Sequence, residues 1–432
     1  MRVSTRAWNG DDPEALAREL RAEAPDHSDI AADVADVIKR VSEGGDAALL
    51  ELGERFDGTR AASLRIGPDE LEAAAAELDP ELRAALDVAA DNIRSVARAQ
   101  LDLAPRTAEL PQGHRVILRD LPVAAAAIYA PGGRAAYPSS VLMGVIPARE
   151  AGVERVVVVS PPQEDGRPHS VILAATSIAG AAEVIAAGGA QAIAALACGT
   201  ETIEAVDVIA GPGGPWVQEA KLQVSRQVGT DGYAGPSELM VIGDASANAG
   251  WIALDICAQA EHGSDGLLVV ASAERELLER VGSRVEELAA ERPSVADAPL
   301  ELIEVPDAGA AAALAQAIAP EHLEIDCADA DELASRISTA GCIFVGDQSA
   351  TAFGDYAAGS NHTLPTGGAG RFNGPLGPGT FTRKISRVTI DERSAGALAG
   401  TVDTIARAEG FPVHGESARA RSENKGPAEQ SS

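Results

Sequence analysis

In the stretch "ICAQAEHGSDG" (256–266), Gln259 and His262 stand three residues apart where a helical pattern runs out at Gly263. That spacing puts both side chains on one helix face, within reach of a single ion. Of the seven histidines (27, 114, 169, 262, 322, 362 and 414), the last four each lie near an acid: "AEHG", "PEHLE", "GDYAAGSNH" and "AEGFPVH". A lone Glu-His pair is ordinarily a surface pair or a helix-end histidine. Four of them, mostly at loop or helix ends, read as a site. Nitrogen and oxygen donors without cysteine suit zinc with an open position, or a similar divalent metal. Glutamine is a neutral ligand and keeps such an ion electrophilic, as a Lewis acid requires. These residues point to a metal-dependent enzyme and leave its reaction class open between oxidation and hydrolysis; an α/β binder with structural zinc is the non-catalytic reading.

The elements that must position these residues are short β-branched runs alternating with helical periodicity. From about residue 150 they include "RVVVVSPP" (155–162), "VDVIAGPGGPW" (206–216), "ELMVIG" (238–243), "GLLVVAS" (266–272), "LELIEVP" (300–306) and "CIFVG" (342–346). Such alternation predicts an α/β fold with parallel sheets and crossover helices. Sites in these folds form at strand C-termini and the loops after them. The first 100 residues read as mostly helical, running straight into a charged helix capped by Asp12 with Pro13 in its first turn. Ser246 or Asn248 caps the helix that ends at Gln259. A G-x-G-x-x-G fingerprint is absent. "GPGGPW" (211–216) comes closest, with Trp216 in place of the third glycine. Opening a helix after a strand, it can hold an anion or be a plain tight turn. A short segment follows "GPLGPGT" (374–380), and "GESARARSENKGPAEQSS" reads as a disordered tail.

Composition excludes several classes of function. A formal charge of -30 over 432 residues argues against nucleic acid or an anionic membrane as the main partner. Apolar residues make up 46% of the chain and aromatics only 3%, so aliphatic side chains must build the interior. Only four of the 35 basic residues are lysines (39, 221, 384 and 425), a background bias with no functional content. Without a signal peptide or an apolar run of spanning length, the expectation is a cytoplasmic protein. Cysteines 198, 257, 327 and 342 show no C-x-x-C spacing and read as reduced, buried thiols, none set up as a nucleophile.

Taken together the motifs resemble histidinol dehydrogenases, from "VSEGGDAALLELGERFDG" (41–58) to "AEGFPVHG" (408–415). The most specific stretches are "YAPGGRAAYPSSVLMGVIPA" (129–148), "GGAQAIAALACGTETI" (188–203) and "AGPSELMVI" (234–242), with "QAEHG", "APEHLEI" and "GDYAAGSNHTLPTGG". The resemblance implies two Rossmann-like parallel-sheet domains, a helical N-terminal segment and a small swapped C-terminal segment. The boundaries it implies are 1–124 and 238–376 for one α/β domain, 125–237 for the other, 377–418 for dimerisation and 419–432 for the tail. It implies one zinc per subunit on Gln259, His262, Asp355 and His414, with Glu321 and His322 as the acid–base pair. Ser237, His362 and Glu409 would meet substrate together with His322 and the zinc ligands, and Tyr129 and Gln191 would contact NAD. The implied reaction is two hydride transfers to NAD, from L-histidinol through L-histidinaldehyde to L-histidine, in a homodimer whose C-terminal segment completes the partner's site. A related zinc and NAD enzyme acting on another primary alcohol, such as a sulfonated diol, is the alternative; His362 and Glu409 favour histidinol. One departure stands out. The family usually carries asparagine where this chain has Gly214, and Trp216 replaces a smaller aromatic.

Overall fold

A computed structural model describes residues 1–22, 30–132, 135–295 and 297–422. The chain forms two compact units, one of Met1–Gln100 with Val123–Phe381, the other of Leu101–Pro122 with the residues from Thr382 onward.

The first unit holds two six-stranded sheets. Across the first, the strands are Arg2–Ala7, Pro299–Glu304, Leu267–Ser272, Glu238–Gly243, His322–Asp326 and Cys342–Val345, all parallel. Across the second they are Arg65–Ile66, Glu183–Ala186, Arg155–Ser160, Ala125–Tyr129, Val208–Ala210 and Gly229–Thr230, parallel except at the Arg65–Ile66 edge. In each sheet five strands follow the doubly wound order third, second, first, fourth, fifth. Both faces are covered by helices, which is why the strands read as unbroken apolar runs. On the first sheet, Met240, Leu323 and Ile325 pack against Leu314 and Ile318, while Leu239 and Val241 pack against Ile252 and Ile256.

Among the described residues, the N-terminal hundred supply the α-helices Pro13–Ala22, Ala31–Phe56, Pro68–Ala76 and Pro80–Gln100. Asp12 accepts from the Ala15 N–H at the start of the first, as expected. Residues 2–7, however, are not the lead-in to a helix. They form the strand Arg2–Ala7 at the edge of the first sheet, paired only with Pro299–Glu304. A strand with one neighbour tolerates the polar "RVSTRA" pattern that masked it.

The second unit is a three-stranded antiparallel sheet, Thr382–Thr389, Arg115–Pro122 and Arg106–Glu109, with helices Glu392–Ala408 and Pro412–Ser422. The segment beyond "GPLGPGT" thus gains a hairpin from 106–122, a contribution that chain order does not announce. Of the stretch read as a disordered tail, 415–422 are helical, and 423–432 lie outside the described residues.

Candidate active site

Strands Glu238–Gly243 and His322–Asp326 are neighbours, with Leu239 opposite His322. That register brings Ser237 and Glu238 against Glu321. Ser237 Oγ donates to Glu321 Oε2 at 2.6 Å, and the Glu238 N–H donates to the same oxygen at 2.8 Å. His322 Nδ1 lies 3.1 Å from the Glu238 carbonyl oxygen, so this nitrogen carries a proton. Glu321 Oε2 is 3.4 Å from Nδ1, and Asp355 Oδ1 is 3.5 Å from Nε2. Burial works to lower the imidazole's pKa, but Glu321 and Asp355 overcome it and hold it well above its ordinary value.

The backbone beneath this pair is itself pinned. Glu238 is buried, accepts from Arg21 at 2.6 and 3.0 Å and from the Gly367 N–H at 2.8 Å, and accepts the Glu321 N–H at 3.2 Å. Arg21 also donates to the Ile318 carbonyl at 2.6 Å. Arg21 and Glu238 went unread in the sequence because 217 residues separate them and neither sits in a local pattern.

Gln259 ends helix Ala249–Ala260, whose start is capped by Asn248 accepting from the Gly250 and Trp251 N–H groups. Ser246 bonds Asp244 instead. The Gln259 side-chain nitrogen donates to Ser237 Oγ and lies 3.5 Å from His322 Nδ1, which leaves its oxygen as the atom available to a cation. His262 follows, and Gly263 turns the chain away at φ 137°. Asp355 comes from helix Thr351–Tyr356. Burial raises its pKa, but His322 outweighs this, with His362 and His262 assisting, and the carboxyl sits below its ordinary value. His362 places Nδ1 3.0 Å from the Asp355 carbonyl oxygen and Nε2 3.2 Å from Ser140 Oγ. Burial lowers its pKa. Glu261, paired with His262 in the sequence reading, receives Ser294 Oγ at 3.4 Å.

Ser237, Gln259, His262, Glu321, His322, Asp355 and His362 line one cavity of about 890 Å³, and the second sheet supplies its other lining. Tyr129 ends strand Ala125–Tyr129, its hydroxyl accepts from the Gly189 N–H at 3.1 Å, and burial pushes its pKa up to about 12. The loop Pro212–Gly214 borders the cavity as well. Gln191 does not. It is buried behind Asp57, donating to Oδ2 at 3.2 Å, and Asp57 is the residue that reaches the cavity.

Two expectations need correction. Only the second sheet offers the C-terminal ends of its strands. The first sheet presents its N-terminal edge, where Ser237 and Glu321 directly precede their strands and His322 opens one, because the cavity lies between the two sheets and meets opposite edges of them. The thiols are not all buried either, since Cys198 is exposed. Burial pushes all four thiol pKa values up, that of Cys327 to about 12, and none lines the cavity.

Glu409 and His414 belong to the second unit, Glu409 at the end of helix Glu392–Ala408 and His414 tilted against Phe411 with ring centroids 5.5 Å apart. Among the described residues no group of three or more His, Cys, Asp and Glu is spaced to hold a metal. Of the four expected zinc ligands the first unit holds three, the His262 imidazole, the Asp355 carboxylate and the Gln259 amide oxygen, a donor chemistry that fits zinc but is a ligand short of four.

Comparison with known proteins yields consistent matches. The profile of the histidinol dehydrogenase family matches residues 20–422. A histidinol dehydrogenase from Corynebacterium diphtheriae is 42% identical over 431 residues, covering 95% of each chain. One from Haloarcula marismortui is 44% identical over 398 residues, 90% of this chain and 93% of that one. The crystal structure of histidinol dehydrogenase from Elizabethkingia anophelis superposes with a TM-score of 0.89 at 30% identity, covering 98% of each chain.

Proposed function

The chain belongs to the histidinol dehydrogenase family, and from that premise we propose that it oxidises L-histidinol through L-histidinaldehyde to L-histidine, with two NAD as hydride acceptors. One observation carries this reading: Ser237, Gln259, His262, Glu321, His322, Asp355 and His362 share a single cavity with Tyr129 and the glycine loop of the second sheet. At about 890 Å³ the cavity suits a small substrate with part of a dinucleotide.

In the first oxidation the carbinol carbon gives up hydride and its oxygen gives up a proton. His322 is the base for that proton. Its Nδ1 proton is committed to the Glu238 carbonyl, so Nε2 is the exchanging atom. Glu321 and Asp355 both favour a proton on this imidazole, and Asp355 lies on the Nε2 side where the substrate proton would arrive. In the second oxidation water adds to the aldehyde, Glu321 takes the proton of that water, and the hydrate loses the second hydride. Ser237 and the Glu238 N–H occupy Glu321 Oε2 and leave Oε1 for the water.

Zinc held by Gln259, His262, Asp355 and His414 would supply Lewis acidity and an anchor for the imidazole and amine of the substrate. We infer that His414 and Glu409 reach the site from a partner chain in a cytoplasmic homodimer. Incubation of the purified protein with zinc, NAD and histidinol tests the whole reading. The expected outcome is one histidine and two NADH per histidinol consumed. Product formed without NAD, or no NADH at all, contradicts it, and faster turnover of a sulfonated diol would replace the substrate.

A further inference from the structure

Lys221 is 2% exposed, one of the four lysines in a chain that otherwise uses arginine. It lies in helix Pro215–Val224, which starts directly after the glycine loop. Its Nζ donates to the Gly211 carbonyl at 3.1 Å and forms an ion pair with the equally buried Asp231. Asp231 in turn accepts the Gly211 N–H at 2.7 Å. One residue is thereby held at both its backbone polar groups by a buried ion pair. Gly211 has φ 115°, and a Cβ on it would stand 2.3 Å from the Tyr129 carbonyl oxygen. The loop is thus fixed against the strand end that carries Tyr129.

Three residues earlier, on the same helix face, Gln218 repeats the pattern. Its Nε2 donates to the Gly213 carbonyl at 3.3 Å, and its Oε1 accepts the Ala234 N–H at 3.2 Å. Each of the two side chains therefore bridges the loop 211–213 to the segment 231–234. That segment continues to Gly235, whose N–H donates to Thr366 Oγ1 at 2.7 Å, and to Ser237, bonded to Glu321. Gly213 and Ala234 both line the cavity.

A buried ion pair contributes little net stability against an apolar pair of similar volume, so its use lies in geometry. Lysine suits it where arginine does not. A compact ammonium with three rotatable donors can serve a carbonyl and a carboxylate that lie in different directions, whereas a guanidinium spreads its donors in one plane. We propose that Lys221 and Gln218 are positioning residues that set the glycine loop for the dinucleotide and couple its placement to the Ser237 segment on the substrate side. This rests on the dinucleotide reading above, and the sequence signal for it was set aside as background bias.

Removing Lys221 alone strands a buried carboxylate, so the test uses two variants that leave no unpaired charge. Lys221→Met with Asp231→Asn keeps an acceptor for the Gly211 N–H; Gln218→Leu removes the second bridge. NADH binding is followed without zinc or histidinol, by energy transfer from Trp216 in the cavity wall. Both variants are expected to bind NADH roughly tenfold more weakly than the parent. Amide hydrogen exchange supplies the second readout. In the parent, NADH should slow exchange in 231–237 as well as in 209–216; in Gln218→Leu only 209–216 should slow. In ligand-free Gln218→Leu, Ala234 should already exchange faster than in the parent. Parent-like NADH affinity and parent-like exchange in both variants would overturn the proposal. Should the parent itself bind no NADH, the dinucleotide reading fails, and the ligand-free exchange of 231–237 alone decides the clamp: acceleration in Gln218→Leu upholds it, no change overturns it.

Discussion

Gly214 stands where the family resemblance leads to an expectation of asparagine, and a Cβ there would meet nothing within 4 Å. It is also the N-cap of helix Pro215–Val224, in extended backbone and without a side-chain cap bond. Gly214→Asn is therefore sterically free and adds both a capping acceptor and a polar group at the cavity wall. One regained hydrogen bond of about 1 kcal/mol should lower the dissociation constant of NAD roughly five-fold. A titration showing unchanged or weaker binding would mean that the loop has adapted to the glycine. At Glu321, whose Oε2 is held by two donors, Glu321→Gln keeps the shape and removes the base. Histidinaldehyde oxidation should slow by about 100-fold or more, and histidinol oxidation by less. Equal slowing in single-turnover experiments would make Glu321 a structural partner of Ser237 and not a base. For the metal, His262→Asn and Asp355→Ala should each strip zinc and nearly all activity while the sheets keep their own cores. Full zinc content with parental rates in both variants would remove these residues from the ligand set.

Elements deliver these residues through their ends. Helix Ala308–Ile318 stops at Ala319, a fully buried non-glycine residue with φ 50°, and two residues later Glu321 and His322 open the strand. The left-handed turn redirects the chain so that the pair arrives at the N-terminal edge of the sheet. An L-residue other than glycine, asparagine or aspartate pays about 1 kcal/mol for that conformation. Ala319→Gly should raise the thermal midpoint by about 1–3 °C with little change in turnover. A lower midpoint would show that the methyl group's burial outweighs the backbone strain. The opposite kind of ending serves Gln259, whose helix is held at its far end by Asn248 and released after His262 by Gly263.

At the scale of the whole molecule, eight of the expected site residues, Tyr129 among them, line one cavity of the first unit, while Glu409 and His414 reside in the second unit. If the second unit of a partner chain completes each site, complementation follows. Chains carrying His414→Ala and chains carrying Glu321→Ala should both be inactive alone. Co-expressed, half of the dimers are mixed, and each mixed dimer has one site with an intact Glu321 and an intact His414. Activity should return to roughly a quarter of the parental level. A purified mixed dimer as inactive as its parents would place His414 in its own chain's site.

Local spacing was enough to identify some of this machinery. The i, i+3 pairing of Gln259 with His262, the adjacency of Glu321 and His322, and the alternation of apolar runs with helical periodicity are all short-range features. A sequence displays them directly because helix and strand periods are local. Other parts depend on strand order. Ser237 meets Glu321 across 84 residues, and Arg21 meets Glu238 across 217. The first distance closes because the doubly wound order sets strand Glu238–Gly243 beside His322–Asp326, the second because helix Pro13–Ala22 packs against helix Ala308–Ile318 over the same sheet. An edge position let strand Arg2–Ala7 stay polar and unread, and the packing of helix Ala31–Phe56 against Gly189–Cys198 put Asp57, not Gln191, at the cavity wall. Lys221 and Gln218 show the division most clearly. As letters in a helix they are one more polar face, and what gives them partners is the burial of that face between a glycine loop and a returning segment. Residue type and local period determined which chemistry the chain carries; packing of distant segments decided which atoms are close enough to perform it.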